Sequence, residues 1–372
     1  MLIGTPREIK NHEYRAGLTP AAVRQLVASG HSVLVERDLG TAIGLSDGAY
    51  AAAGAELADT AQEIFARAEM IVKVKEPQPD ECRMLRPGQI LFTYLHLAPD
   101  PVQTRMLLES GAVAIAYETV TAPNGSLPLL APMSEVAGRM SVQAGAYCLE
   151  KSHGGLGVLL GGVPGTDAAK VVVIGGGVVG VNAARMAIGL DANVTVLDRS
   201  IDRLRQLDQQ FGRRMNTLYA DLESIEQSVL GADLVIGAVL VPGAAAPKLV
   251  SRDMVSRMKK GAVLVDVAID QGGCFETSHA TTHAEPTYEV DGVIHYCVAN
   301  MPGAVARTST FALNNATLPY TLALAQKGWR QALRDDPNLR NGLNICAGKL
   351  THSALVPAEG QQYQDAELAL AA

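Results

Sequence analysis

Short apolar runs alternate with helical patterns along most of the chain. Three runs rich in Val, Ile and Leu lie at Val171–Ile174, Asp233–Val239 and Ala262–Asp270. Runs of this kind are typical of strands that are buried on both faces of a parallel sheet. The segments between them carry apolar residues three and four positions apart, which predicts helices. The alternation predicts an α/β fold with a doubly wound parallel sheet.

The first part of the chain repeats this alternation. A predicted strand over Leu2–Ile9 is followed by Thr19, which suits the N-cap of a helix because the next residue is proline. Met70–Lys75 alternates apolar residues with Lys73 and Lys75, which predicts a strand with both lysines on one face. Such a face is either a solvated sheet edge or part of a ligand site, and the pattern leaves both open.

Proline and glycine crowd Ala122–Pro132, which indicates a crossing between domains. A long helix is predicted to begin at Ser134, and a second one, over Thr308–Lys327, would return the chain to the first domain. We therefore predict two domains, one over 129–306 and the other built from 1–128 and 307–372.

A glycine pattern follows the strand at Val171–Ile174. Gly175, Gly177 and Gly180 form G-x-G-x-x-G, in which the glycines permit a tight turn, approach of a pyrophosphate and close helix packing. Asp198 ends the next strand, 18 residues after Gly180. This is close to the spacing of about 20 expected for a carboxylate that binds the adenosine ribose. A carboxylate at this position repels a 2′-phosphate, so Asp198 favours NAD over NADP. The adjacent Arg199 argues for NADP.

Composition excludes several classes of protein. A net charge of −7 gives no electrostatic footprint for nucleic acid or an anionic membrane. No apolar run reaches the roughly 18 residues of a membrane helix, and the N-terminal residues do not form a signal peptide. The five cysteines are scattered and form no C-x-x-C pair, which indicates reduced thiols in a cytoplasmic protein.

Four residues suggest hydride transfer to or from a small acid. Arg15 could bind a carboxylate through two hydrogen bonds, and Lys75 could add a point charge. His96 follows a predicted strand over Gln89–Tyr94. Histidine is the residue type most often used as a general acid or base, so it could exchange a proton with the substrate. Asp270 could orient water or an amine.

Several motifs together resemble bacterial alanine dehydrogenase. They include EYRAGLTP, VKVKEP, YLHLA, PMSEVAGRMS, VVVIGGGVVGVNAARMA, VDVAIDQGG and CVANMPGAVARTSTF, and they cover almost the whole chain. The resemblance implies reversible, NAD-dependent oxidative deamination of L-alanine to pyruvate and ammonia. It also implies two Rossmann-like domains and a homohexamer.

The resemblance also implies roles for single residues. Arg15 and Lys75 would bind the substrate, and His96 and Asp270 would be catalytic. The residues that would line the NAD site are Ser134, Gly175, Gly177, Val178, Val179, Gly180, Asp198, Arg203, Val239, Leu240, Val267, Ala268, Ile269, Asp270, Val298, Ala299, Asn300 and Met301.

This chain departs from the family pattern at a few positions. Ala220 stands where relatives often have serine near the adenine, and His279 replaces an expected arginine. Ala323 and Lys327 replace a Glu and a His that hold a divalent metal in some relatives. His279 and His283 have the spacing of a helical metal pair, but their surroundings suggest a loop, so we predict no metal.

Other functions fit parts of the sequence. The NAD-binding subunit of a nicotinamide nucleotide transhydrogenase and a saccharopine-type lysine dehydrogenase share the N-terminal motif and a late nucleotide domain. A non-catalytic NAD sensor would keep the glycine turn but need neither His96 nor Asp270. The sequence leaves open the preference among small amino acids and the physiological direction.

Overall fold

The computed structural model describes residues 1–239, 246–355 and 361–371. The chain divides into two compact units. We call them the terminal unit, Met1–Met133 with Val305–Ala372, and the central unit, Ser134–Ala304. Among the described residues, no helix is both long and apolar enough to cross a membrane.

The described strands form two large, mostly parallel sheets. In chain order the strands are β1 (Leu2–Thr5), β2 (Ser32–Glu36), β3 (Glu56–Ala58), β4 (Met70–Val72), β5 (Ile90–Thr93), β6 (Val113–Ala116), β7 (Lys170–Ile174), β8 (Asn193–Asp198), β9 (Asn216–Tyr219), β10 (Leu234–Gly237), β11 (Val263–Asp266), β12 (Thr287–Val290), β13 (Val293–Tyr296), β14 (Leu343–Cys346) and β15 (Lys349–Leu350).

Helices separate most of the parallel strands. They are α1 (Pro20–Ala28), α2 (Asp47–Ala52), α3 (Ala61–Arg67), α4 (Pro79–Met84), α5 (Pro101–Ser110), α6 (Ala131–Cys148), α7 (Val178–Gly189), α8 (Ile201–Phe211), α9 (Leu222–Gly231), α10 (Arg252–Arg257), α11 (Ala306–Lys327), α12 (Trp329–Asp335), α13 (Pro337–Arg340) and α14 (Ala366–Ala371). As predicted, Thr19 caps α1, and its hydroxyl accepts a hydrogen bond from the Ala22 amide.

The sheet orders confirm the predicted fold class. The terminal sheet runs β15-β14-β6-β5-β4-β1-β2-β3 and the central sheet runs β12-β13-β11-β10-β7-β8-β9. Their neighbours are parallel except at β14–β6, β14–β15 and β12–β13. In each sheet the first strands extend to one side and the following strands are added on the other side. This switch lies between β1 and β4 in the terminal sheet and between β7 and β10 in the central sheet. Ligands of doubly wound sheets bind outside the carboxyl ends of the strands at such switch points.

The interpretation of Lys73 and Lys75 as residues of a solvated edge strand is wrong. Strand β4 ends at Val72 and lies between β1 and β5 in the interior of the sheet. Lys73 is fully buried and Lys75 is 8% exposed. Both lysines therefore lie in the loop after β4, at the switch point.

Three other predicted elements have different bounds. Strand β11 ends at Asp266, so Asp270 is not at a strand end but in the 3-10 helix Val267–Gln271. The buried carboxylate of Asp266 accepts the Ala268 amide, which turns the chain out of the strand. Strand β1 ends at Thr5 instead of Ile9, and α6 begins at Ala131 instead of Ser134.

Glycines allow the elements of the central unit to pack closely. A Cβ atom on Gly180 of α7 would lie 1.8 Å from the Gly175 carbonyl oxygen. A Cβ atom on Gly138 of α6 would lie 2.2 Å from the Val179 carbonyl oxygen. Real Cβ atoms do not approach backbone oxygens this closely, so α7 could not keep its place against β7 and α6 with larger residues there.

We expect Gly180→Ala to lower the free energy of unfolding by about 1–3 kcal/mol because the added methyl group must displace backbone. Gly189→Ala is the matched control in the same helix, since no described atom lies within 4 Å of its Cβ position. That control should be neutral or slightly stabilising. Urea unfolding of both variants tests this, and equal stabilities would contradict the packing argument.

Candidate active site

Arg15 lies in the loop after β1 and is almost fully buried. Its Nε donates to Glu13 Oε1 over 2.7 Å and its Nη2 donates to Glu13 Oε2 over 2.6 Å, a two-point ion pair. Burial opposes the charge, but the Glu13 carboxylate outweighs it and raises the pKa of Arg15. The Arg15 Nη1 atom lies 3.0 Å from Met133 Sδ, a weak acceptor. A guanidinium cation is thus held within the protein interior.

Lys73, in the loop after β4, joins two carboxylates. Its Nζ atom lies 3.1 Å from Glu8 Oε2 and 2.6 Å from Glu81 Oε1, and all three side chains are at most 2% exposed. Burial raises the pKa of Glu8. The pKa of the Lys73 amine is also raised, because the two carboxylates outweigh the effect of burial. One ammonium and two carboxylates carry a net charge of −1, which favours uptake of a proton by the cluster.

The same Glu8 carboxylate fixes the backbone at Lys75. Its Oε1 atom accepts the amides of Val74 at 2.7 Å and Lys75 at 3.3 Å. The Lys75 carbonyl accepts the Thr93 hydroxyl of β5 at 2.9 Å. The Lys75 side chain is 11% exposed, with Nζ 3.9 Å from Glu76 Oε2. The ammonium therefore projects from a backbone that is held on both sides.

His96 follows β5 and has a left-handed backbone conformation, with φ +50°. The carboxylate of Glu118, just after β6, accepts the His96 amide at 2.6 Å and the Leu95 amide at 3.2 Å. Glu118 Oε1 also lies 3.6 Å from His96 Nδ1. Sequence reasoning missed Glu118, although an acid at the end of the neighbouring strand was a signal for it. The Glu118 carboxylate thus holds the strained backbone turn at His96.

The structure thus places Arg15, Lys75 and His96 at one edge of the terminal sheet, in the loops after β1, β4 and β5. These are neighbouring parallel strands, and β1 and β4 flank the switch point. An arginine, a lysine and a histidine at such a place suit an anionic substrate that exchanges a proton.

The glycine turn of the central unit leaves space for an anion. Gly175 has φ +102°, and a Cβ atom there would lie 2.6 Å from the Ala238 carbonyl oxygen of the loop after β10. At Gly177 no described atom lies within 4 Å of the Cβ position. Gly177 is the N-cap of α7, and no side chain caps the helix. The amides at the start of α7 therefore have no capping side chain among the described residues, and a helix N-terminus of this kind can bind an anion.

Asp198 and Arg203 hold this turn. Asp198 Oδ2 accepts the Gly176 amide at 2.7 Å and Oδ1 accepts the Ser200 amide at 2.8 Å. Arg203 Nε donates to the Gly176 carbonyl at 2.6 Å. A carboxylate oxygen with one hydrogen bond can accept another, so Asp198 can still bind ribose hydroxyls.

Asp270 is exposed, and its loop is held by two residues that sequence reasoning missed. Buried Asp266 accepts the Cys274 amide at 2.9 Å and the Ser278 hydroxyl at 2.5 Å, while burial raises the pKa of its carboxyl group. The Lys248 ammonium donates to three carbonyls, those of Gly272, Gly273 and Phe275, over 2.6, 2.9 and 3.1 Å. An acid within the apolar run VLVDVAI was the available signal for Asp266.

The other residues predicted to bind the dinucleotide lie in α6, in the glycine turn, or after β10, β11 and β13. Val178 is exposed, and Leu240 lies outside the described residues. Asn300 has φ +64°, and its carbonyl oxygen lies 3.1 Å from His283 Nε2. The half-buried members are Ser134, Val179, Val239, Val267, Ala299 and Asn300, and the buried ones are Ala268, Ile269, Val298 and Met301.

His279 and Ala220, two of the positions that depart from the family pattern, make local contacts. The His279 ring stacks on Tyr288 with centroids 3.6 Å apart, and the Ala220 amide donates to the Asp198 carbonyl. Within residues 1–239, 246–355 and 361–371, no group of three or more His, Cys, Asp or Glu side chains could hold a metal ion.

Comparison with known proteins gives consistent matches. Residues 4–137 match the model of the N-terminal domain of alanine dehydrogenase/PNT, and residues 141–353 match the C-terminal domain. The alanine dehydrogenase of Halomonas elongata is 62% identical over 366 residues, 98% of this chain and 99% of that protein. That of Bacillus subtilis is 55% identical over 371 residues, 100% of this chain and 98% of that protein.

Solved structures agree with these matches. An L-alanine dehydrogenase superposes with a TM-score of 0.92 at 54% identity, covering 95% of this chain and 98% of that one. A transhydrogenase from Sinorhizobium meliloti superposes with a TM-score of 0.81 at 23% identity, covering 95% of this chain and 100% of that one. The second likeness shows a shared fold.

The buried Lys73 cluster gives a stability prediction. Lys73→Met leaves Glu8 and Glu81 without their cation, so we expect the free energy of unfolding at pH 7 to fall by about 3–5 kcal/mol. Glu8→Gln removes a charge that burial already disfavours and keeps an acceptor for the Val74 amide. We therefore expect this variant to lower the free energy of unfolding by only about 1 kcal/mol.

The penalty should also depend on pH. Burial raises the pKa of Glu8 above its ordinary value of 4.5, so the folded protein takes up this proton first as the pH falls. The contribution of Glu8 to stability is therefore full at low pH and is lost as the pH rises through the raised pKa. Urea unfolding at pH 5 and pH 7 should show a smaller Lys73→Met penalty at pH 5. A penalty independent of pH, or equal losses for the two variants, would contradict this account.

Proposed function

The chain belongs to the alanine dehydrogenase/PNT family, and we propose that it catalyses the reversible oxidative deamination of L-alanine to pyruvate and ammonia with NAD. The observation that carries the proposal is the edge of the terminal sheet where Arg15, Lys75 and His96 follow neighbouring strands. Near-complete matches to alanine dehydrogenases support the same reaction.

We assign substrate binding to Arg15 and Lys75. The contact of Arg15 Nη1 with Met133 Sδ is one that a carboxylate would replace, because a carboxylate oxygen is a much stronger acceptor than a thioether. Glu13 keeps the remaining guanidinium face occupied and so fixes the plane of the group. Lys75 would donate to the carbonyl oxygen of pyruvate and polarise it.

We assign proton transfer to His96 and a supporting role to Asp270. After hydride has left the alanine α-carbon, water adds to the resulting imine. His96 would accept one proton from this water as the new C–O bond forms and pass it to the amine nitrogen. The C–N bond would then break as the remaining hydroxyl proton passes to His96 and the C=O bond of pyruvate forms, releasing ammonia. The Asp270 carboxylate would orient the water and stabilise the positive charge of the imine. In the reverse direction the same groups act on ammonia and pyruvate.

We propose that residues 129–306 bind NAD and that residues 1–128 with 307–372 bind the substrate. The bound nicotinamide would accept the hydride. The amides at the start of α7 would hold the pyrophosphate, and Asp198 would accept the ribose hydroxyls and repel a 2′-phosphate. The other residues of this site are those that the family resemblance implies, from Ser134 to Met301.

The alternatives receive weaker support. A transhydrogenase transfers hydride to a second nucleotide and needs no cationic site for a small acid, and its likeness here is one of fold. A saccharopine-type dehydrogenase has no support from the matches described above. A non-catalytic NAD sensor would not need the backbone of His96 to be held by Glu118 in a left-handed turn.

Two further proposals concern the assembly and location of the protein. The family resemblance supports a homohexamer. The five free, buried cysteines support a reducing compartment, and we propose the cytoplasm.

The main test is oxidation of NADH with pyruvate and ammonium. We expect His96→Ala to lower kcat by about 10²–10⁴-fold with little change in the KM for NADH, because only proton transfer is lost. His153→Ala is the matched control, since that ring packs on Tyr147 in the central unit. Wild-type protein that shows no turnover, or a fully active His96→Ala variant, would contradict the proposed function.

Cofactor choice can be measured separately. We expect kcat/KM for NADH to exceed that for NADPH, and Asp198→Ser to reduce this preference at least about tenfold because the repulsion of the 2′-phosphate is lost. Arg199→Ser serves as the control for the neighbouring cation. A wild-type preference for NADPH would overturn the choice of NAD.

A further inference from the structure

The loop that carries Arg15 is bound to a helix about 300 residues away in sequence. Helix α11 presents Thr310 and Asn314 to this loop, and both are at least 97% buried. The Thr310 hydroxyl accepts the Ala16 amide at 3.1 Å. This hydrogen bond joins the residue immediately after Arg15 to the helix.

Asn314 makes three hydrogen bonds to the same loop. Its Oδ1 atom accepts the Thr19 amide at 2.8 Å, and its Nδ2 atom lies 3.3 Å from the Ala16 carbonyl and 3.1 Å from the Gly17 carbonyl. One side-chain amide therefore satisfies one donor and two acceptors of the loop. An amide is the natural side-chain group that offers both functions at once.

The opposite side of the loop lies against the strand ends. A Cβ atom on Gly17 would be 2.5 Å from the Val72 carbonyl oxygen and 2.8 Å from the Thr5 hydroxyl, at the ends of β4 and β1. The Leu18 carbonyl accepts the Tyr50 hydroxyl at 2.9 Å. The loop is thus fixed between the switch point and α11.

We infer that Thr310 and Asn314 are positioning residues for Arg15: they hold the loop so that the guanidinium meets the carboxylate of the substrate. The inference rests on the proposed function, because it assumes that Arg15 binds a small carboxylate. Neither residue touches the substrate in this account. They act by removing the freedom of the Arg15 backbone before binding, which lowers the cost of fixing the guanidinium.

Two variants test the inference. Thr310→Val keeps the shape but removes the acceptor for the Ala16 amide. Asn314→Asp keeps the acceptor for the Thr19 amide but turns the donor to two carbonyls into an acceptor. Thr321→Val is the matched control, because Thr321 is also fully buried on α11 but, among the described residues, its hydroxyl bonds only to the carbonyl of Thr317 in its own helix.

We expect each test variant to raise the KM for pyruvate about tenfold, with the KM for NADH and the kcat changed less than about threefold. Thr321→Val should leave all three near wild type. In an Arg15→Ala background, Thr310→Val should have no further effect on the KM for pyruvate, because the group that it positions is gone. Non-additivity of this kind is not expected of a purely structural residue.

The outcomes separate the two proposals. Wild-type turnover with additive effects in the Arg15→Ala background, or with equal effects of Thr310→Val and Thr321→Val, would overturn the positioning role alone. Absence of wild-type turnover would overturn the proposed function. If Asn314→Asp does not fold, the isosteric pair Thr310→Val and Thr321→Val decides the question.

Discussion

The ammonium of Lys73, between the carboxylates of Glu8 and Glu81, is the interaction on which the proposed substrate site depends. It connects the loops after β1 and β4, the two strands at which the terminal sheet reverses its order. A buried charge is costly unless it is paired, so these loops cannot separate without exposing unpaired ions to the interior. The Glu8 carboxylate that pairs with Lys73 also fixes the backbone amide of Lys75.

The same arrangement recurs at the other residues of this edge. Glu13 holds Arg15, and Glu118 holds the backbone of His96. In each case a carboxylate fixes the side chain or the backbone of a cationic or titratable residue in the loop after a parallel strand. The proposed contacts to the substrate are therefore prepared by residues that need not touch it, and α11 extends this support to the loop of Arg15.

In the central unit, glycines position the proposed site by permitting close packing, whereas charged residues do so in the terminal unit. Gly175 and Gly180 let the turn and α7 lie against the sheet, and Gly177 leaves the helix amides open to an anion. Asp198 and Arg203 then fix Gly176 from both sides. Side chains outside the glycine pattern therefore hold the backbone groups of this turn.

The sequence yielded Arg15, Lys75, His96 and Asp270 as candidate site residues, whose roles stay predictions. The sequence alone also determined the α/β class and the glycine turn that is followed by Asp198. These follow from local features, because the period of apolar residues and the needs of a tight turn depend on near neighbours along the chain. It could not determine that Lys73 is buried, that β11 ends at Asp266, or that Glu118 and Asn314 support residues 22 and about 300 positions away. Those facts depend on which strands become neighbours and which loops meet, and only the tertiary structure decides this.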